Sequence, residues 1–188
     1  MDLSLHVLTA NDLEMVRKWR NSPEVSKYMY TDNTISAAQQ IAWFERIRKD
    51  SSKKYWLIRY GERPIGLVNI AHIDTLNLSC NWGFYFGVSD LRGLGLASKV
   101  EFSVLRYVFD TLGLNKLYCE VFDWNNNVIG LHSKFGFRRE GFFREHIMKD
   151  GKLQNIVCMG IIRRDWLVIR DYFVEKLYGS EENLPQIP

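Results

Sequence analysis

A glycine-rich turn, Arg92-Gly93-Leu94-Gly95-Leu96-Ala97-Ser98, is the stretch whose residue types point most directly to chemistry. Glycines let the backbone turn sharply into a helix, so several N–H groups can converge on one point and bind an anion, above all a phosphate. The turn lacks the lysine-serine or lysine-threonine ending of a P-loop and the full three-glycine dinucleotide fingerprint. It therefore indicates a phosphate-binding loop of another kind, with a plain helix start as the alternative.

A second motif, Asn125 to Phe137 (NNNVIGLHSKFGF), follows the turn further along the chain. Arg92-x-x-Gly95-x-Ala97 and this second segment, in this order, resemble the pyrophosphate loop and the Asn-x-x-Ala-x-x-Leu-Tyr-x-Lys-x-Gly-Phe segment of the GNAT superfamily of N-acetyltransferases. The resemblance spans nearly the whole chain and implies acetyl-coenzyme A as the cofactor. The implied cofactor contacts are Phe86, Gly87 and Val88 along the pantetheine arm, Arg92, Gly93, Leu94, Gly95, Leu96, Ala97 and Ser98 at the diphosphate, and Asn125, His132 and Lys134.

Periodicity predicts a single domain over residues 1–178 in the order β, α, α, β, β, β, α, β, α, β, β, and a loose tail over residues 179–188. The predicted strands cover residues 3–7, 55–58, 65–73, 81–88, 116–122, 137–148 and 153–162, and the predicted helices start near Asp12 and Ser36 and cover residues 94–112, 125–135 and 164–178. Ser36 and Gln39 have the spacing of a capping box, and Ile41, Phe44 and Ile47 of the helix that follows are expected to face inward. This order agrees with the GNAT fold. The resemblance implies an α/β (α+β) structure with a mixed, mostly antiparallel sheet of about seven strands, splayed between strands four and five and flanked by helices on both faces. Gly83 and Gly87 suggest a bulge that opens the split.

A general base is needed because an ammonium group has no lone pair with which to attack a thioester. Glu120 lies among the apolar residues 118–121 of a predicted strand. If its side chain faces the cleft, burial would raise its pKa and suit it to general-base work. An outward carboxylate on a sheet face is the alternative, and Asp123 and Glu140 are the competing carboxylates.

The family's usual tyrosine, which is placed to protonate the leaving thiolate of coenzyme A, is replaced by His132. A histidine with an unperturbed pKa near 6.5 can donate a proton from a ring nitrogen at neutral pH. We therefore expect His132 to serve as the acid. A histidine that only fills the tyrosine's place against the cofactor is the alternative.

Two further segments, Trp19-Arg20-Asn21 and the closing residues 162–166, resemble the branch that contains ribosomal-protein N-terminal acetyltransferases and their sugar-acetylating relatives. A closer similarity is to the acetyltransferases of the pseudaminic acid pathway, which act on the 4-amino group of a UDP-linked amino-dideoxy sugar destined for flagellin or a surface polysaccharide. Arg20 would bind the phosphates, and Met29, Tyr30 or Trp43 would supply apolar surfaces for uracil. Each has a structural alternative, as a core residue or as one half of an ion pair.

Composition limits the other possibilities. The 188 residues are 46% hydrophobic and 25% charged, with a net charge of +3, which is typical of a folded domain and gives no case for nucleic acid. Cys80, Cys119 and Cys158 are too far apart for metal-ligand spacing, so we expect reduced core thiols and no metal. No leader or membrane segment is visible, and we expect a cytoplasmic enzyme.

The expected partner is a small-molecule amino-sugar nucleotide. The amine remains open, because a protein N-terminus or another small amine would also serve as acceptor. A non-catalytic acyl-coenzyme A binding module is the alternative from a different class. The oligomeric state is also open, a homodimer being one option.

Overall fold

Seven strands form one mixed sheet in the order β1-β2-β3-β4-β5-β7-β6 in this computed structural model, which describes residues 2–91 and 93–188. The strands are β1 (Leu3–Val7), β2 (Lys54–Tyr60), β3 (Arg63–Asp74), β4 (Ser79–Phe86), β5 (Lys116–Phe122), β6 (Arg138–Lys149) and β7 (Lys152–Ile162). All neighbouring pairs are antiparallel except β4 and β5, which are parallel. The helix between β4 and β5 makes the long crossover that a parallel pair requires.

The sheet splits between β4 and β5. Their ladder covers only Ser79 to Asn81 of β4 against Lys116 to Tyr118 of β5. Beyond Asn81, β4 continues to pair with β3 as far as Phe86, while β5 continues to pair with β7 as far as Phe122. The predicted mixed sheet with a split between strands four and five is therefore confirmed.

Six helices lie within the described parts of the chain. They are α1 (Leu13–Asn21), α2 (Pro23–Ser26), α3 (Ala37–Ile47), α4 (Leu96–Arg106), α5 (Asn126–Lys134) and α6 (Arg163–Tyr178), with short 3-10 turns at Ala10–Asp12 and Glu181–Asn183 and a π-type turn at Tyr107–Thr111 that extends α4. The start of α3 is fixed by a capping box, in which Ser36 Oγ accepts from the Gln39 amide and Gln39 Oε1 accepts from the Ser36 amide.

The two faces of the sheet carry separate apolar clusters. The larger cluster packs the central strands against α4, α5 and α6, and it includes Phe102 and Trp166, both fully buried. The smaller cluster lies under α1 and α3, where Val16 and Leu57 are buried and Trp43 packs at the edge. Helices on both faces match the prediction, and they leave the split in the sheet open between them.

Three local expectations are wrong. The β3–β4 register runs regularly from Gly66 to Ala71, so Gly83 lies in an ordinary ladder and the split comes from the divergence of β5 rather than from a bulge. Ile41, expected to face inward, is 57% exposed. The C-terminal residues are packed rather than loose, because Trp56 Nε1 donates to the Pro188 carbonyl at 2.9 Å and Leu184 contacts the larger cluster.

The three cysteines are free. Cys80 and Cys119 are buried and Cys158 is half-buried. Burial raises the pKa of Cys80 to about 12, which agrees with an unreactive thiol in the core. Among the described residues, no helix combines the length and the apolar character needed to cross a bilayer.

Candidate active site

A cleft of about 1640 Å³ opens where β4 and β5 separate. One wall is the end of β4 and the turn that follows it, and the opposite wall is the end of β5 with the first part of α5. Residues from α1, α3 and the segment between them cover one end. The cleft therefore runs from the start of α4, through the split in the sheet, to the underside of α1 and α3.

The start of α4 forms one end of the cleft. Gly95 is the residue that precedes the helix, in a left-handed conformation with φ of 71°, and an added Cβ would meet no atom within 4 Å. The described part of the chain offers no backbone carbonyl that accepts from an amide between Gly93 and Ala97. Gly93, Gly95, Leu96 and Ala97 line the cleft, and because their amides have no acceptor among the described residues, they give this end of the cleft the character of an anion site. The predicted contact Arg92 lies outside the described residues.

The end of β4 lies along the split, and Phe86, Gly87 and Val88, the residues predicted to contact the pantetheine arm, line the cleft. The Gly87 amide, however, donates to the Ile65 carbonyl at 2.8 Å. It is therefore not available as a donor to a pantetheine arm. Gly87 is required for another reason, since a Cβ there would overlap the ring of Trp19 on α1.

The predicted contacts on α5 and on the glycine turn divide into two groups. Asn125, the residue that precedes α5, lines the cleft. Leu94, Ser98 and Lys134 do not belong to its lining, and Lys134 is exposed at the last turn of α5. The sequence motif could not separate these positions, because it gives the order of residues and not the direction of each side chain.

Glu120 faces the cleft from β5 and accepts a hydrogen bond from the Tyr30 hydroxyl at 2.9 Å. Glu120 is exposed, so the burial on which its selection as a base depended is absent. Burial, and next the hydrogen bond to Glu120, raise the pKa of the Tyr30 phenol, so Tyr30 is a stable donor to this carboxylate. Of the competing carboxylates, Asp123 accepts from Asn155 Nδ2 at 2.9 Å and Glu140 pairs with Lys116 at 2.7 Å, both outside the cleft.

His132 lines the cleft from α5 and is only 3% exposed. Its Nδ1 lies 3.0 Å from Oε1 of Glu101, a fully buried residue of α4. The rings of Trp82 and Phe137 flank the imidazole, each with its centroid 5.1 Å away. Glu101 is not among the residues predicted for the site, although helical spacing places it on the same face as the buried Val104 and is the signal that could have identified it.

Arg20 projects into the other end of the cleft and is half-buried. Within the described chain no carboxylate pairs with it, and its one polar contact is a long one, 3.5 Å from Nη2 to Thr31 Oγ1. Burial lowers the pKa of the Arg20 guanidinium, while Tyr85 and Tyr55 nearby partly offset that effect. The Tyr85 hydroxyl is buried and also has no hydrogen-bond partner among the described residues.

The apolar residues predicted for substrate binding also line the cleft. Met29 is half-buried, and Tyr30 is 37% exposed with its ring edge-on to Phe122. Trp43 packs edge-on against Tyr55, with the two ring centroids 5.0 Å apart. Trp43 also belongs to the smaller core cluster, so it serves the fold as well as the cleft.

The split in the sheet lies beside a helix start whose amides have no acceptor among the described residues, and this arrangement suits an extended ligand that carries a phosphate group. A family model described as an acetyltransferase (GNAT) domain matches residues 2–138. The chain therefore belongs to the GNAT family of acetyltransferases.

Particular relatives agree with this assignment. The chain is 31% identical over 130 residues to acetyltransferase PseH of Campylobacter jejuni strain 81-176, covering 69% of this chain and 79% of that protein. It is 23% identical to the spermidine N(1)-acetyltransferase of Escherichia coli K12, covering 88% of each. Its fold is similar to that of spermidine N-acetyltransferase from Vibrio cholerae in complex with CoA and spermine, with a TM-score of 0.83, 23% identity and coverage of 88% of this chain and 98% of that one.

The protein is accordingly an enzyme, an N-acetyltransferase that uses acetyl-coenzyme A. The residues present fit this cofactor, since the amides at the start of α4 suit a diphosphate and, within the described structure, the split beside Phe86 leaves the β5-facing edge of β4 unpaired. The expectations about fold, enzyme class and cofactor are confirmed.

Proposed function

We propose that the enzyme acetylates the amino group of a sugar nucleotide, and specifically the 4-amino group of a UDP-linked amino-dideoxy sugar of the pseudaminic acid pathway. The observation that carries this proposal is Arg20, a half-buried cation in the cleft without a carboxylate partner among the described residues. A cation in this setting is stabilised by an anionic ligand, and a guanidinium suits a phosphate because it can donate two parallel hydrogen bonds.

The surroundings of Arg20 suit a nucleotide. Tyr55 and Trp43 supply aromatic surface beside it, and the buried Tyr85 hydroxyl is a polar group that still needs a partner. The nucleobase of such a ligand would cover the aromatic surface, and its diphosphate would accept a hydrogen bond from the Tyr85 hydroxyl. The similarity to PseH supports the same acceptor class.

The charge of the cleft lining disfavours a polyamine. Among the described lining residues, Arg63 is neutralised by Asp90, with which it forms hydrogen bonds of 2.6 and 3.1 Å. The remaining charged residues are the cations Arg20, Lys27 and Arg46 and the carboxylates Glu24 and Glu120. A lining with a cationic excess attracts a nucleotide diphosphate and repels spermidine.

When bound, acetyl-coenzyme A supplies an activated acetyl thioester. In the overall reaction the amine nitrogen bonds to the acetyl carbon, the carbon–sulfur bond breaks, the amine loses a proton and the sulfur gains one. We assign the first proton to Glu120, directly or through water, and the second to His132. The amides of Gly93 to Ala97 would hold the diphosphate and Asn125 the pantetheine arm, so that positioning supplies much of the rate.

In this proposal the enzyme works in the cytoplasm on a small molecule, and its product serves a surface glycan such as that of flagellin. The test offers acetyl-coenzyme A with a panel of UDP-linked 4-amino sugars, spermidine and peptides with free N-termini, and detects acetylated products by mass spectrometry. We expect turnover of the amino-sugar nucleotide. Turnover of spermidine or a peptide without turnover of any sugar nucleotide would contradict the proposal.

Arg20→Met separates the phosphate role from a structural one. Loss of a charged hydrogen bond of about 1.5–3 kcal/mol corresponds to a rise of about 10- to 100-fold in KM for the sugar nucleotide. We expect KM for acetyl-coenzyme A to stay within about twofold. Lys18→Met removes an exposed cation from the same helix outside the cleft and is the matched control. Equal effects of the two substitutions would exclude Arg20 as the phosphate ligand.

A further inference from the structure

A buried carboxyl–imidazole pair lies behind the cleft. Glu101 is fully buried on α4, and its Oε1 contacts Nδ1 of His132 on α5 at 3.0 Å, while its Oε2 has no hydrogen-bond partner within the described structure. The other buried residues of α4 are apolar apart from Ser103, and they include Val100, Val104 and Leu105. A carboxyl group placed there is costly unless its partner neutralises it.

The protonation states of this pair can be compared by net charge. Two of them are neutral overall, the imidazolium with the carboxylate, and the neutral imidazole that accepts at Nδ1 from a protonated carboxyl. Both carry a hydrogen on Nε2. The third, a neutral imidazole with its hydrogen on Nδ1 beside a carboxylate, leaves a full negative charge in the core. Burial raises the pKa of Glu101, with the His132 contact acting in the opposite direction, and this favours the neutral states.

The neighbours of the pair add no compensating cation. Cys119 on β5 is a buried thiol whose pKa is raised well above its usual value, by burial first and then by Glu101, so it stays protonated. Trp82 and Phe137 bring only aromatic surface to the imidazole. No described residue near the pair is therefore placed to offset a negative charge.

We propose that Glu101 is the positioning residue of His132, holding the ring by Nδ1 and keeping a hydrogen on Nε2, the ring nitrogen that remains to serve the cleft. The inference rests on the proposed acid role of His132, but not on which amine is acetylated. The hydrogen on Nε2 passes to the departing sulfur, and the proton held between Nδ1 and Glu101 Oε1 then settles on Nδ1. The pair is left with the negative charge of the Glu101 carboxylate, and because that charge is costly in the core, a proton from water returns to Nε2 before the next turnover. Glu101 thereby ensures that His132 is a donor at neutral pH, where a free histidine is mostly unprotonated and has no fixed tautomer.

The first test measures protonation directly and needs no substrate. Three of the four histidines, His6, His72 and His146, are exposed, so His6→Gln, His72→Asn and His146→Gln together leave His132 as the single histidine in a chain that keeps its core. We expect long-range ¹H–¹⁵N spectra at pH 7 to show a hydrogen on Nε2, and its loss or exchange between nitrogens in Glu101→Met. An Nε2 without hydrogen in the parent chain overturns the proposal.

The second test is a double-mutant cycle with whichever amine the wild-type enzyme accepts. Glu101→Gln is expected to lower kcat about tenfold, less than the usual general-acid contribution because a thiolate leaves readily, with KM for acetyl-coenzyme A nearly constant. In the His132→Tyr background, which restores the family's residue, the same substitution should change kcat less than twofold. Ser103→Ala, a buried polar substitution on the same helix, is the control and should leave kcat unchanged.

An equal loss in both backgrounds means that Glu101 is only structural and overturns the proposal, as does an unchanged kcat in the His132 chain. These outcomes are distinct from failure of the proposed function. If spermidine proves to be the acceptor, the sugar assignment fails while the cycle and the spectra still decide the role of Glu101.

Discussion

The start of α4 gives a matched pair of substitutions, Gly95→Glu and Gly151→Glu. Both glycines have left-handed backbones, with φ of 71° and 73°, and at both an added Cβ would meet no atom within 4 Å. The backbone strain is therefore the same, roughly 1 kcal/mol, which lowers the Tm of a chain of this size by about 2–4 °C. Gly151 lies in the turn between β6 and β7, away from the cleft.

Only the Gly95 variant should lose the cofactor. A carboxylate about 5 Å from one diphosphate charge, at an effective dielectric constant of about 20, costs about 3 kcal/mol, or at least about 100-fold in affinity. Isothermal titration calorimetry with acetyl-coenzyme A measures this, and Gly95→Gln separates charge from bulk, with a smaller loss expected. If Gly95→Glu binds within about threefold of Gly151→Glu, the diphosphate does not rest on these amides.

Three other predictions follow from contacts in and around the cleft. Glu120→Gln should lower kcat by about 100-fold with acetyl-coenzyme A affinity intact, as steady-state kinetics would show; Glu140→Gln, outside the cleft, is the control, and an unchanged kcat in the Glu120 variant rules out the base assignment. Gly87→Ala should lower the free energy of unfolding in urea by about 1–3 kcal/mol because its Cβ overlaps Trp19, whereas Gly83→Ala, whose nearest contact is 3.9 Å away, should cost less; equal losses would refute the packing argument. Hydrogen bonds from Lys149 and then from the Asp150 amide lower the pKa of Asp32, so this contact is present at neutral pH and is lost as the pH falls through the lowered pKa. The NMR chemical shift of the Asp150 amide should therefore titrate below the usual aspartate range, and a midpoint at or above about 4 contradicts this.

The sequence pattern is sufficient to predict those elements whose type and bounds are determined by residues close by in the chain. Residues 116–122 were predicted with the observed bounds, because a short apolar run between polar turns has few other solutions. The capping box at Ser36 was predicted for the same reason. Ile41 shows the limit, since helical spacing identifies an apolar side but not how much of it the sheet covers, and α3 lies over the edge of the smaller cluster.

Long-range contacts account for what the sequence did not reveal. The C-terminal residues have no periodic pattern, yet Leu184 and Ile187 find partners on the larger cluster and Pro188 accepts from Trp56. Arg20 lies on α1, and its environment depends on Tyr55 of β2 and Tyr85 of β4. The Tyr30–Glu120 hydrogen bond joins residues that are 90 positions apart. Each of these required the tertiary structure.

The contact between Glu101 and His132 accounts for both residues better than the packing of the fold does. An apolar side chain at position 101 would pack on the buried face of α4 and would leave no carboxyl oxygen there without a partner. Buried ionic pairs often stabilise a fold no more than apolar residues of similar volume. A histidine alone in the tyrosine's place would be a proton donor from Nε2 in only some of its forms, whereas a tyrosine hydroxyl is always protonated at neutral pH. The buried carboxyl removes that ambiguity. By itself, the replacement of tyrosine by His132 weakens the case for an acid that protonates the leaving thiolate. Together with Glu101, the same replacement supports that role.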